Sequence, residues 1–149
     1  MDIKCFNKQN LPQSGERDAI AQFLFKHLEA YGDPVNDIKS CMRYALSENG
    51  KPGGFILAGY ESESGQLASA VVVNETGMGG FIPENILVYI ATHRDFRGKG
   101  IGGKMMREAL RTAQGDVALH VEPDNPARRL YEQLGFTNKY LEMRYKKEQ

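Results

Sequence analysis

Between Phe96 and Met105 the chain reads Phe96-Arg97-Gly98-Lys99-Gly100-Ile101-Gly102-Gly103-Lys104-Met105, a glycine-rich run carrying Arg97, Lys99 and Lys104. It follows a nearly continuous apolar stretch, Ile86-Leu87-Val88-Tyr89-Ile90-Ala91, and it opens a segment in which Ile101, Met105, Ala109 and Ala113 fall along one helical line. A loop placed between a strand and a helix in this way is suited to hold phosphate. The first amides of a helix have no partner inside it, and the aligned peptide dipoles add about half a positive charge at that end. Glycines let an anion approach the backbone because no Cβ stands in the way.

Three phosphate chemistries share these letters. Gly98, Gly100 and Gly103 satisfy the dinucleotide fingerprint G-x-G-x-x-G, but only 46 residues follow Gly103, too few for the βαβ units that should come next. Gly98 to Lys104 also satisfies the start of a P-loop. There Met105 occupies the position where a hydroxyl should meet magnesium, and a thioether does not replace it. The third is a phosphate borne by some other group, which these letters alone do not specify.

The elements that must position this loop are legible around it. Ile3 to Phe6 reads as a short strand. Ile20, Phe23, Leu24, Leu28 and Tyr31 define an amphipathic helix that stops at Gly32. Asp33-Pro34 reads as the cap and first turn of a second helix, with Val35, Ile38, Met42, Ala45 and Leu46 as its stripe and Asn49-Gly50 as its end. Phe55 to Tyr60 and Leu67 to Val73 predict an antiparallel hairpin across Ser62 to Gly65. The run Ile86 to Ala91 predicts a central strand covered on both faces. After the glycine loop and a helix over about Gly100 to Ala113, Val117 to Val121 predicts a strand parallel to the central one, joined to it by a crossover. A last helix over about Pro126 to Leu134 ends at Gly135, and Phe136 to Lys146 predicts one or two closing strands. The expected fold is α/β of the mixed α+β kind. It is one domain over residues 1–149, with a central, mostly antiparallel mixed sheet flanked by about four helices.

Charge is more informative in its distribution than in its sum. The 19 basic and 19 acidic side chains cancel, which argues against sequence-independent binding to nucleic acid. Between His93 and Arg111, however, Arg94, Arg97, Lys99, Lys104, Arg107 and Arg111 face only Asp95 and Glu108, a pattern that fits either a site for a compact anion or a solvated helix face. Cys5 and Cys41 are too few and too separated for a disulfide framework or a metal site, so no metal is expected. No stretch approaches the length of a membrane span, and the first residues lack a signal-peptide pattern; a cytoplasmic protein without a membrane partner is expected.

Two motifs carry a resemblance to a known family. Phe96-Arg97-Gly98-Lys99-Gly100-Ile101-Gly102 resembles the Arg/Gln-x-x-Gly-x-Gly signature of the GNAT superfamily of N-acetyltransferases. Downstream, Leu119-x-Val121-x-x-x-Asn125-Pro126-Ala127-x-x-Leu130-Tyr131-Glu132-x-Leu134-Gly135-Phe136 resembles the family's later motif. The resemblance is close from about Ile86 to Phe136 and only architectural before it.

The resemblance implies a GNAT-like domain with splayed parallel central strands that binds acetyl-coenzyme A and transfers its acetyl group to an amine. The acceptor would be a small molecule, an amino acid or a peptide. It implies that Arg97, Gly98, Lys99, Gly100, Ile101, Gly102 and Gly103 hold the coenzyme phosphates. Ile90, Ala91 and Thr92 would line the pantetheine arm along the splayed strand, and Asn125 would anchor the turn beside it. A backbone amide near Tyr89 or Ile90 would face the thioester oxygen. Tyr131 matches the tyrosine that protonates the departing thiolate. Glu84 and Glu75 are candidate bases acting through water, and His120, alternating with Leu119 and Val121, is a candidate cleft residue. The acceptor would meet Glu16 to Asn49 and Gly77 to Asn85. A homodimer follows from the resemblance, not from any interface pattern. The alternative is a coenzyme-binding sensor that has lost turnover.

Overall fold

Five segments rich in apolar and β-branched residues pair into one mixed sheet: β1 (Asp2–Phe6), β2 (Gly54–Tyr60), β3 (Leu67–Glu75), β4 (Asn85–Thr92) and β5 (Val117–Leu119). The strands lie in chain order. The first four are antiparallel, and β5 runs parallel to β4. The computed structural model describes residues 1–148. These form two compact units of a mixed α+β fold, the first Met1–Leu119 and the second beginning at His120.

In the first unit, α1 (Ser14–Leu28) and α2 (Val35–Ala45) cover one face of the sheet. Ile20, Phe23, Leu24, Ile38 and Met42 pack there against Ile56, Ala58, Ala70, Val72, Tyr89 and Ala91. The other face receives α3 (Ile101–Thr112), which buries Met105, Met106 and Ala109. Gly59 of β2 lies under this helix: a Cβ there would come 3.0 Å from the Met105 sulfur. Truncating Met105 or Met106 would leave a cavity costing about 2–5 kcal/mol.

The predicted helix start at Asp33-Pro34 is displaced. Pro34 is the cap residue, and Asp33 makes no capping bond. The Asp33 carboxylate instead accepts the hydroxyl of Tyr89 at 2.6 Å. Nor does α2 reach Asn49-Gly50. It ends at Ala45, and Ser47 and Asn49 then take positive φ values of 63° and 56°.

The central strand is covered less evenly than its apolar run predicts. The middle residues of β2 and β3 are all buried, whereas β4 alternates and Val88 is 38% exposed. The cause is a bulge. Val72 pairs with Tyr89 and Val73 with Leu87, so Val88 is an extra residue in β4. A single added residue exchanges the faces of everything beyond it.

The second unit contains α4 (Ala127–Gln133). Its end explains the Leu134-Gly135-Phe136 sequence. Gly135 adopts φ 104°, its N–H reaches the Glu132 carbonyl at 3.1 Å, and the Phe136 N–H reaches the Tyr131 carbonyl at 3.0 Å. This is the paired closure that favours glycine after a helix. The predicted closing strands do not form between Phe136 and Lys146. Leu141, Met143 and Tyr145 keep the alternation of a strand but are exposed, and a strand pattern without a ladder partner leaves its backbone to solvent. Likewise β5 ends at Leu119 rather than Val121.

Candidate functional site

The site is built at the end of β4. The ladder with β5 runs only from Asn85–Val117 to Leu87–Leu119. From Val88 to Thr92 the same edge of β4 therefore has no strand beside it among the described residues. The bulge at Val88 lies where the pairing stops. It turns Tyr89 and Ala91 into the core under α1 and α2 and leaves Ile90 half-buried on the other face. Thr92 closes the strand, its hydroxyl 3.3 Å from that of Ser69. Of the three predicted strand residues, Ala91 has its side chain in the core, so only its backbone is available to a ligand.

Beyond Thr92 a short 3-10 turn, Arg94–Phe96, leads into the glycine loop. Gly98 and Gly100 adopt φ 77° and 78°, the left-handed region that favours glycine. Gly100 is the cap residue of α3, with no side chain supplying a cap. The first intrahelical bond here is from Lys104 N–H to the Gly100 carbonyl at 3.1 Å, which leaves the amides of Ile101, Gly102 and Gly103 without partners inside the helix. A Cβ at Gly98 or Gly100 would meet nothing within 4 Å, so the outer side of the loop is open.

The charged side chains around this loop divide into two groups. Lys99 is exposed, with its ammonium 5.5 Å from the centre of the Phe96 ring, and Lys104 and Arg107 are exposed on α3. Arg97 is engaged elsewhere. Its guanidinium donates to the carbonyls of Thr92 at 3.1 Å and His27 at 3.0 Å and lies 3.6 Å from the Glu29 carboxylate. The structure therefore gives Arg97 a tie between α1 and the loop.

Glu84 precedes β4, and both of its oxygens are held. One accepts the Asp116 N–H at 2.7 Å, the other the Gly80 N–H at 3.1 Å. These two bonds, the first foremost, hold its carboxyl below the usual carboxylate range. Gly79 and Gly115 make the arrangement sterically possible, since a Cβ at either would press on the Glu84 side chain. The carboxylate thus joins the loop before β4 to the residue before β5. Glu75, at the end of β3, accepts the Tyr44 hydroxyl through its backbone carbonyl at 2.6 Å.

The remaining predicted residues belong to the second unit. His120 is exposed. Asn125 Oδ1 accepts the Ala127 N–H at 2.9 Å, a turn bond at the entry to α4. Tyr131 is 7% exposed with its ring 6.0 Å from that of Phe136, and burial pushes its phenol up from the ordinary value. Among the described residues no group of three or more potential ligands could hold a metal ion.

Two connections escape the sequence reading. The first is the Tyr89–Asp33 bond, hidden because Asp before Pro also fits a helix cap. The second is His27, which is 5% exposed with its ring centre 4.3 Å from that of His93. Its position four residues after Phe23, on the apolar line of α1, was the available signal.

Comparison with known proteins bears on the fold and the family. No curated protein matches the chain. Among solved structures, a transcriptional regulator from Bacillus halodurans is similar at 17% identity and a TM-score of 0.66, over 97% of this chain and 99% of its own. An aminoglycoside antibiotic 6′-N-acetyltransferase from Acinetobacter haemolyticus is similar at 15% identity and a TM-score of 0.65, over 99% of both chains. A ribosomal-protein-alanine N-acetyltransferase from Brucella melitensis is similar at 18% identity and a TM-score of 0.61, over 98% of this chain and 99% of that one. At these identities the likeness shows a shared fold. The profile of the acetyltransferase (GNAT) family matches residues 14–136, from the start of α1 to the residue closing α4, and the chain belongs to that family.

Proposed function

We propose that this protein is an acetyl-coenzyme A-dependent N-acetyltransferase acting on a primary amine of a small molecule, amino acid or peptide. The observation that carries the reading is the joining of two features at one end of β4: an edge without a strand from Val88 onward, and the open glycine loop with free α3 amides. The first suits an extended arm that offers amide groups to a strand edge, as pantetheine does. The second suits its pyrophosphate, with Gly98, Gly100, Ile101, Gly102 and Gly103 supplying backbone and Lys99 and Lys104 supplying charge.

On this reading the neutral amine nitrogen attacks the thioester carbonyl, and the oxygen gains negative charge opposite a β4 amide at Tyr89 or Ile90. The carbon–sulfur bond then breaks, the thiolate takes a proton from Tyr131, and the nitrogen gives up its extra proton to form the amide, that proton passing through water to restore the phenol. A phenol near pKa 10 is a weaker acid than a thiol near 8.5, and burial weakens Tyr131 further, so this transfer must be aided by geometry around the sulfur. Asn125 holds the turn that presents α4. The base is water-borne, with Glu84, Glu75 and His120 as the sequence-derived candidates; of these Glu84 has both oxygens turned to backbone N–H groups. A cytoplasmic, homodimeric enzyme with no nucleic-acid or membrane partner completes the proposal.

A second reading, a coenzyme-binding sensor without turnover, draws support from the engagement of Glu84 and Arg97 in holding the fold. Release of free thiol from acetyl-coenzyme A across a panel of amines tests the two. Amine-dependent release supports the enzyme, whereas coenzyme binding with no release across the panel supports the sensor.

A further inference from the structure

His27 and His93 lie in no step proposed above, yet they form a titratable pair set among aromatic rings in the first unit. Their ring centres are 4.3 Å apart, with Phe23 at 4.6 Å from His27 and Phe96 at 5.5 Å from His93. His27 sits in the last turn of α1, and His93 is the residue joining β4 to the 3-10 turn before the glycine loop. Nδ1 of His27 is buried with no hydrogen-bond partner. The same junction carries backbone strain, since Glu29, which ends α1, has φ 56° and ψ −124°.

We propose that His27 and His93 form a proton-operated latch. With His27 neutral, the contact between the two rings holds the last turn of α1 against the segment entering the glycine loop; a proton on His27 releases it. The proposal goes beyond the acetyltransferase reading and does not depend on it.

The groups facing the pair decide the sign. From α1 comes Lys26; from the segment after β4 come Arg94, Asp95 and Arg97; from the turn after α1 comes Glu29; and from the connection before β3 comes the neutral Gln66. The cations outnumber the available acids. Glu29 already pairs with Arg94 at 3.4 Å and Arg97 at 3.6 Å. Asp95 donates its backbone N–H to His93 Nδ1 at 3.1 Å, which sets that nitrogen as an acceptor, and a proton there would break the bond. A proton on His27 would place a buried N–H without an acceptor beside a second imidazole and three basic side chains. Burial first, then His93, Lys26, Arg97 and Arg94, push His27 below its ordinary 6.5. A group so lowered stabilises the closed arrangement above about pH 6.5, and that contribution declines as pH falls below it. The consequence reaches the loop because Arg97 donates both to the His27 carbonyl and to that of Thr92, so loss of the α1 turn removes one of its two backbone anchors.

Amide hydrogen exchange tests this on the whole chain without any ligand. Protection of the hydrogen-bonded amides of Asp95, Phe96 and Arg97 is compared with that of β2 and β3 amides, which correct for the intrinsic effect of pH. Between pH 7.5 and 5.5 the wild-type segment should lose about tenfold of its relative protection, as expected when an open state with an ordinary histidine is protonated one unit below its pKa. His27→Phe keeps an aromatic ring in this contact and should show no such loss. Titration of the His27 imidazole by NMR in the wild type provides a readout independent of any variant. Equal pH dependence in wild type and His27→Phe, or a His27 that titrates at or above 6.5, would overturn the latch.

Discussion

Leu87 and Tyr89 lie two residues apart on one strand, yet they point to opposite faces of the sheet. Leu87 pairs with Val73, and Tyr89 pairs with Val72, because Val88 is inserted between them. The bulge does two things at one place. It delivers the Tyr89 ring to the core under α1 and α2, and it lies where β4 parts from β5. Strand edge, core contact and helix connection are thereby fixed together.

The Tyr89 hydroxyl is the outer end of this arrangement, bound to Asp33 at 2.6 Å. Replacing Tyr89 with Phe removes one hydrogen bond to a carboxylate and preserves the ring. Stability should fall by about 1–2 kcal/mol with the fold intact. Urea denaturation checks this through a lower midpoint at unchanged slope.

Glu84 predicts an acid-side effect. Its folded-state carboxyl is depressed by the Asp116 and Gly80 N–H groups. Its contribution is therefore complete above its ordinary value of 4.5 and disappears as pH falls through the lower folded value. Glu84→Gln should be less stable than wild type near neutral pH, and the difference should shrink as the solution is acidified. Paired urea melts across that range provide the comparison, and a gap that stays constant with pH would contradict the role.

Gly100 caps α3 at φ 78°. Alanine there would be strained by about 1–2 kcal/mol in the left-handed region, although its methyl group meets nothing within 4 Å. Gly100→Ala should thus lower stability by about that amount and weaken coenzyme A binding, while Gly15→Ala, where the glycine has negative φ and equally open space, should do neither. Thermal melts and calorimetry with coenzyme A read the two effects.

Tyr131→Phe should reduce turnover by about 100-fold, the scale of a lost general acid, with little change in acetyl-coenzyme A affinity. Steady-state kinetics together with direct titration separate the two. An unchanged rate would remove Tyr131 from the mechanism.

The parts of this account legible in sequence are those governed by local rules. The glycine loop, the helix after it and the Leu134-Gly135-Phe136 closure each depend on residues that are neighbours in the chain. The hairpin of β2 and β3 was visible in its strand-forming residues and the turn between them. What stayed hidden depends on distant partners. Nothing near Val88 announces a bulge, because the extra residue exists only relative to the register of β3. Arg97 fits a phosphate ligand by motif, and only the fold brings the His27 carbonyl, 70 residues away, within its reach. The tail from Phe136 onward shows the opposite failure. Alternation at Leu141, Met143 and Tyr145 predicts a strand, but pairing, which alternation does not supply, decides the outcome.

Calorimetric titration with acetyl-coenzyme A, beside ATP and NAD under the same conditions, tests the central claim most directly. Saturable binding of acetyl-coenzyme A, weakened in Gly100→Ala and much tighter than that of either nucleotide, is the predicted result. No binding of acetyl-coenzyme A, or equal binding of all three ligands, would contradict it.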